Sequence, residues 1–166
     1  MKLAKIFIVA MVVVLGFIAC GNPNGDNGGG GGSNTTWNDD GSPIGEWVLT
    51  EWNGSKDLPF GIYLRLNEDD SFDLYQHTYN VLWVHYSGTF SLKGSTLTGE
   101  YSDGTKWAEY SIQYSDSDPK KIKLTRTSDK DSTDVGIYTS TTIPNEIIED
   151  ASEAINVRSV AIEKFL

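Results

Sequence analysis

Cationic side chains, cysteine and histidine are all scarce in this chain of 166 residues. It has one cysteine, two histidines, and 13 lysines and arginines against 23 acidic residues, a formal charge of −10. Such a chain repels phosphate backbones, because nucleic-acid affinity depends on cationic side chains that displace condensed counterions. Two histidines, with no further cysteine or cluster of acids beside them, do not complete a tetrahedral zinc site. We therefore expect no nucleic-acid partner, no metal and no cofactor.

The chain also lacks the short motifs that mark common catalytic sites. It contains no nucleophile elbow, no paired-histidine helix motif and no phosphate loop. The five consecutive glycines at 28–32 are not followed by the lysine that a phosphate-binding loop requires. We expect a protein that is not an enzyme.

No apolar run in the chain is long enough to span a bilayer, but a shorter one begins near the N-terminus. Lys2 and Lys5 form a positive end, residues 6–18 are almost entirely apolar, and Ala19 is a small residue before Cys20. A spanning helix needs ~20 apolar residues, so a run of about a dozen is too short. A positive end, an apolar stretch and a small residue are typical of an export signal.

The four residues Phe17, Ile18, Ala19 and Cys20 resemble the lipobox of bacterial lipoproteins. In that family the cysteine thiol receives a diacylglyceryl group and becomes the mature N-terminus. The resemblance implies that residues 1–19 are a lipoprotein signal peptide, that Cys20 is the lipidation site, and that the acylated cysteine binds the membrane. No aspartate directly follows Cys20, which favours the outer membrane of the cell envelope, with periplasmic and surface orientations both open. Without residues 1–19, the chain has 11 basic and 23 acidic residues and a formal charge of −12.

Residues 20–43 consist mostly of Gly, Asn, Asp, Ser and Thr, with Trp37 as the single aromatic residue. A segment of this composition cannot bury enough apolar surface to offset the entropy lost on ordering. We expect a flexible tether that links the anchor to a folded domain.

Residues 44–142 show a sequence pattern typical of short strands separated by polar turns. In residues 62–66, for example, Ile62, Leu64 and Leu66 alternate with Tyr63 and Arg65. Alternation of this kind predicts a strand with one buried face. Eight strands are predicted at 46–52, 62–67, 72–77, 82–92, 95–101, 106–114, 121–127 and 134–140.

Eight consecutive antiparallel strands predict an all-β fold, an up-and-down β-barrel. Closure into a barrel removes the two exposed edges that invite aggregation. A two-sheet β-sandwich is the alternative.

The first predicted strand opens with Gly45-Glu46-Trp47, which resembles the Gly-x-Trp at the start of the first strand of lipocalins. Residues 86–92 and 95–104 are similar to the central hairpin of the small lipocalin-like (calycin-like) domains of Bacteroidetes-type lipoproteins. The resemblance implies an eight-stranded barrel closed at one end by Trp47, beneath an arginine from a late strand, here Arg126. The domain is shorter than transport lipocalins and lacks their disulfide, which argues against a large ligand cavity.

Several aromatic residues are expected to face the barrel interior and are the candidate ligand-binding residues: Phe72, Tyr86, Phe90, Tyr101, Tyr110 and Tyr114. In a small barrel such side chains fill the interior, and only a wider barrel leaves room for a ligand. Both interpretations stay open. Trp52, Trp83 and Trp107 alternate away from the apolar faces, and exposed together they would form a patch that binds partners.

Residues 143–166 change to helical spacing and predict a C-terminal amphipathic helix that packs on the barrel. Its predicted apolar stripe comprises Ile147, Ile148, Ala151, Ala154 and Ile155. Residues 157–166 suit either an extension of that helix or a strand, and the apolar Phe165 and Leu166 suggest that the tail docks.

From the resemblance, the expected function is that of a lipid-anchored envelope protein that binds a small apolar or amphipathic ligand. This is an analogy from fold to function. The alternative is an accessory module with a packed barrel, whose partner is an envelope protein or a glycan.

Overall fold

The computed structural model describes residues 35–78, 82–128, 134–153 and 164–166. The expected signal peptide, Cys20 and most of the expected tether lie outside these residues. The described elements are β1 (Gly45–Trp52), β2 (Gly61–Leu66), β3 (Ser71–His77), β4 (Val84–Lys93), β5 (Thr96–Tyr101), β6 (Tyr110–Ser115), β7 (Lys121–Arg126), β8 (Val135–Ser140), α1 (Asn145–Asp150) and β9 (Ser152–Glu153).

Strands β1 to β8 form a closed antiparallel barrel. Each strand pairs with the next along the chain, and β8 pairs with β1 to complete the ring. The up-and-down barrel expected from the sequence is confirmed, and the β-sandwich alternative is wrong. Closure is possible because the strands are consecutive and their connections short, so neighbours in sequence become neighbours in space.

The inward faces of the strands carry the alternating apolar residues. Ile62, Leu64 and Leu66 of β2 are buried, while Tyr63 and Arg65 between them are partly exposed. Because side chains of a strand point alternately to its two faces, one apolar row per strand is enough to fill the barrel.

The shortest strand pairing in the barrel is that between β5 and β6, which pair only through Thr96–Ser111 and Leu97–Tyr110. Beyond these pairs, Trp107 takes the place of a strand residue beside β5, and its main-chain N–H donates to the carbonyl oxygen of Gly99 over 2.8 Å. The indole lies directly on Gly99, where a Cβ atom would come within 2.4 Å of the ring. The strand expected at 106–114 therefore begins later, at Tyr110, because Trp107 completes the wall instead.

One end of the barrel, here called the Trp47 end, is closed by Trp47 and the segment before β1. The Trp47 indole N–H donates to the carbonyl oxygen of Pro43 over 2.8 Å. Asn38 exchanges two main-chain hydrogen bonds with Tyr114, at 3.0 and 2.8 Å. Asn38 and Pro43, which belong to the segment expected to be a tether, therefore contact the barrel.

Helix α1 is shorter than the sequence predicts, since Asp150 is its last residue and Ala151 is extended. After Ala151 the chain adds β9 in parallel to Val84 and His85 of β4. Ala154 and Ile155 of the expected apolar stripe lie outside the described residues. That part of β4 lies beyond its last pair with β5, so its edge is free to accept a strand. Ile147 of α1 packs with Tyr75 on the outer face of the barrel.

Candidate functional site

The barrel interior is filled by side chains. All six aromatic residues proposed as ligand contacts, Phe72, Tyr86, Phe90, Tyr101, Tyr110 and Tyr114, are buried in one core cluster. Phe72 and Tyr101 meet edge to face with their ring centroids 5.4 Å apart. This packing is typical of a small barrel and leaves the ends of the barrel as the places for a ligand.

A cavity of about 590 Å³ opens at the end opposite Trp47. We call this end the mouth, and the cavity there the mouth cavity. Its apolar wall is made by Trp52, Phe60, Trp107 and Tyr110, so Tyr110 is the one of the six predicted aromatics that borders it. Its volume lies within the range of small-molecule sites, ~300–1,000 Å³.

Three buried side-chain polar groups have no hydrogen-bond partner among the described residues: the indole N–H of Trp107 and the hydroxyls of Tyr114 and Tyr138. A buried polar group without a partner costs ~1–3 kcal/mol, so such groups are uncommon in folded proteins. Trp107 borders the mouth cavity, but its N–H is itself buried, so it is the ring that contributes to the cavity wall.

The phenols near the mouth are held in their neutral form. Desolvation raises the pKa of Tyr110 to about 12 and also raises the pKa of Tyr101. Burial has the same effect on the pKa of Tyr138. These hydroxyls therefore stay protonated well above neutral pH, and that of Tyr101 donates to the carbonyl oxygen of Leu166.

Charged side chains lie at the rim of the mouth. Arg126 and Asp134 form an ion pair with 3.6 Å between the guanidinium nitrogen and the carboxylate oxygen. Asn53 holds Asp134 from the other side through its amide, 3.1 Å away. Together with Lys106, these groups form part of the polar lining of the mouth cavity, beside its aromatic wall.

The expected packing of Arg126 beneath Trp47 is wrong. The neighbour of Arg126, Thr125, pairs with Val135 at the mouth, whereas Trp47 pairs with Ser140 at the other end of β8. The two residues therefore lie at opposite ends of the barrel. Gly45 does lie beside Trp47, with a positive φ of 142° and the position of a Cβ 3.8 Å from the indole.

The three tryptophans Trp52, Trp83 and Trp107 do not form one exposed patch. Trp107 is buried in the wall and Trp52 packs at the mouth. Trp83 lies on the outer face, with its ring 5.6 Å from that of Tyr63. They lie apart because Trp52 is the last residue of β1, Trp83 directly precedes β4, and Trp107 lies in the connection between β5 and β6.

The last residues of the chain enter the mouth, as the apolar Phe165 and Leu166 suggest. The Phe165 ring centroid lies 4.7 Å from that of Trp52, and the Phe165 N–H donates to Gln76 Oε1 over 3.1 Å. Leu166 is only 8% exposed, and its carbonyl oxygen accepts from the hydroxyl of Tyr101 over 3.2 Å.

Gln76 is a site residue that sequence reasoning missed. It is 1% exposed and lies on the inward row of β3 with Phe72 and Leu74. A polar residue in an otherwise apolar row is a signal that something must satisfy it, since buried amides need hydrogen bonds. The sequence carried that signal, but it did not indicate the partner.

A separate network of charges lies on the outer face of β1 to β4. Arg65 contacts Glu46 at 2.8 Å and Asp73 at 3.5 Å, and Asp73 contacts His85 at 2.8 Å. The hydrogen bond from His85 lowers the pKa of Asp73. Glu46 also accepts the N–H of Ile143 at 2.7 Å, which ties the segment before α1 to the barrel. This network explains His85 as a structural residue.

A comparison with protein-family models, curated proteins and solved structures finds no match for the chain. The geometry of the barrel is therefore the basis on which a function can be proposed. Within the described residues there is no group of three or more potential metal ligands. The same residues include no helix with the length and apolar character needed to cross a bilayer.

Proposed function

We propose that this protein is a lipid-anchored envelope protein whose barrel binds a small apolar or amphipathic molecule at its mouth. The observation that carries this proposal is the mouth cavity, with its aromatic wall and the charged side chains at its rim. Ligand sites commonly combine an apolar lining with a few polar groups that fix the orientation of the ligand.

The mouth suits an amphipathic molecule better than a purely apolar one. Trp52, Phe60 and Trp107 offer apolar surface, while Lys106 and Arg126 lie at the entrance. The polar end of such a ligand would stay near the charged rim.

The packed interior limits how deep a ligand can go. The side chains of Tyr138, Phe72 and Leu64 are fully buried, and they fill the space below the mouth. Because protein cores are close-packed, a ligand would occupy the mouth cavity without entering the barrel.

The proposed anchor is Cys20 of the lipobox-like sequence Phe17-Ile18-Ala19-Cys20. A glycine-rich tether follows it and leads to the described segment that begins at residue 35. Acyl chains contribute ~0.8 kcal/mol for each buried methylene, so two or more give stable membrane attachment. We propose the outer membrane as the site of attachment.

Native mass spectrometry of the mature domain, purified from its own host, tests ligand binding, with a bound small molecule as the expected result. Titration with decanoate then compares Trp52→Ala with the matched variant Trp83→Ala. Trp52→Ala removes apolar surface from the wall of the mouth cavity, and we expect affinity to fall about tenfold. Trp83 lies outside the cavity, so its variant should bind as the wild type does. A domain that carries no ligand and binds no decanoate would refute the proposal.

The packed interior also favours a second candidate function, an accessory module that contacts an envelope protein or a glycan. In that case the barrel acts as a rigid scaffold and its outer surface carries the contacts. Crosslinking in cells followed by purification distinguishes the two, because a small-molecule binder does not require a fixed protein partner.

A further inference from the structure

We propose that the mouth is a peptide-binding site, and that Lys164–Leu166 is its resident occupant. The ligand class would be a short apolar peptide with a basic residue before an aromatic and an aliphatic one. This inference rests on the proposed function, since it names the ligand class of the same cavity.

The side chains of the three residues each have a separate partner. The ammonium group of Lys164 pairs with Asp103 at 2.5 Å and lies 4.3 Å from the centroid of the Tyr101 ring. It also contacts the hydroxyl of Thr105. A carboxylate and an aromatic face together are a common way to bind a cation.

The apolar side chains are held by the aromatic wall. The Phe165 ring centroid lies 4.7 Å from that of Trp52 and 5.6 Å from that of Phe60. Leu166 belongs to the main core cluster. Tilted aromatic contacts of this kind stabilise beyond the area they bury, and they select for an aromatic ring at the middle position.

The main chain of the segment is recognised as well. Gln76 Oε1 accepts the N–H of Phe165 at 3.1 Å, and the hydroxyl of Tyr101 donates to the carbonyl oxygen of Leu166 at 3.2 Å. An acceptor for an amide N–H and a donor for a nearby carbonyl match a peptide. An alkyl carboxylate offers no N–H to Gln76 Oε1, so this pair of contacts distinguishes a peptide from a fatty acid.

The occupant does not fill the site. Lys164, Phe165 and Leu166 form part of the wall of the mouth cavity, whose volume is still about 590 Å³. A longer peptide therefore has room beyond the contacts that the resident segment makes.

A chain that ends at Glu163 tests the proposal, with folding checked by circular dichroism. The probes are the capped tripeptide Lys-Phe-Leu, a capped Lys-Asp-Leu control, and decanoate, each followed by calorimetry. We expect the shortened chain to bind Lys-Phe-Leu at least about tenfold more tightly than the full chain does, because the site is vacated. Lys-Asp-Leu should not bind.

Removal of the acceptor on Gln76 identifies what is recognised. In the shortened chain, Gln76→Met should weaken Lys-Phe-Leu binding about tenfold and leave decanoate binding unchanged. If the shortened chain does not fold, the full chain with Phe165→Ala serves, since it keeps the backbone contacts but vacates the aromatic pocket. It should bind Lys-Phe-Leu more tightly than the wild type.

Decanoate binding without peptide binding would overturn the peptide proposal and leave the proposed function standing. Equal peptide affinity in the shortened and full chains would overturn the role of Lys164–Leu166 as occupant. Failure of both probes on all chains would refute the proposed function together with this inference.

Discussion

The main-chain N–H of Phe165 donates to the side-chain oxygen of Gln76, 3.1 Å away at the barrel mouth. Gln76 is the polar member of an apolar inward row, and Phe165 belongs to the last three residues of the chain. This hydrogen bond therefore links the inward row of β3 to the C-terminal segment, and the C-terminal segment is part of the fold.

Gln76→Leu should destabilise the domain, because the N–H of Phe165 loses its acceptor. We expect the free energy of unfolding to fall by about 1–3 kcal/mol. Gln113→Leu is the matched control, since its amide donates to Asp39 at an exposed position. Urea denaturation followed by tryptophan fluorescence measures both. Equal losses in the two variants would show that the Phe165 contact is not special.

Gly99→Ala should weaken the barrel wall between β5 and β6. A Cβ at residue 99 would lie 2.4 Å from the Trp107 indole, so either the ring or the strand must move. Forced overpacking of this kind costs about 1–3 kcal/mol. Thr96→Ala, at an exposed position of the same strand, should change stability by less than about 0.5 kcal/mol. The prediction fails if Gly99→Ala unfolds at the same urea concentration as the wild type.

The domain should lose stability at alkaline pH, because burial raises the pKa of Tyr110 from 10.0 to about 12. Above the pKa of the unfolded state, the unfolded chain releases the phenolic proton while the folded chain keeps it. Stability contributed by the neutral phenol is therefore complete below about pH 10 and declines up to about pH 12. Urea unfolding across this range measures the decline, and phenolate absorbance reports the titration itself.

Tyr110→Phe is the control for this pH dependence. It removes one titrating group, so its stability should decline less steeply over the same range. Identical slopes for the variant and the wild type would assign the effect to other groups, such as Tyr101 and Tyr138, whose pKa values burial also raises.

Cys20→Ser should release the protein from the membrane fraction, since serine has no thiol to acylate. The wild type should incorporate labelled palmitate and the variant should not. Fractionation of cells that express each form gives the measurement. A variant that stays in the membrane fraction and still incorporates the label would contradict the lipid anchor.

The barrel could be predicted from the sequence because apolar and polar residues alternate along its strands. Ile62, Leu64 and Leu66 point inward as the period of two requires, and short polar turns leave few ways to connect eight strands. Each strand pairs with the next strand along the chain, so the pairing follows from short segments of sequence that can be recognised one at a time.

The errors concern contacts between distant parts of the chain. The apolar spacing around Ile147 predicts a longer helix, but the free edge of β4 draws Ser152 and Glu153 into a strand. The resemblance to lipocalins implies that Arg126 packs against Trp47, whereas the register through Thr125 and Val135 places Arg126 at the mouth. The mouth cavity likewise depends on residues from several connections and the tail, so no single segment of the sequence displays it.

The docked segment before β1 determines where a mechanical load enters this domain. Asn38 is bound to Tyr114 by two main-chain hydrogen bonds, and Pro43 is bound to the Trp47 indole. A force transmitted along the chain from its N-terminal side acts on these contacts first. They lie at the end opposite the mouth cavity, so a force from the N-terminal side enters the domain far from the mouth.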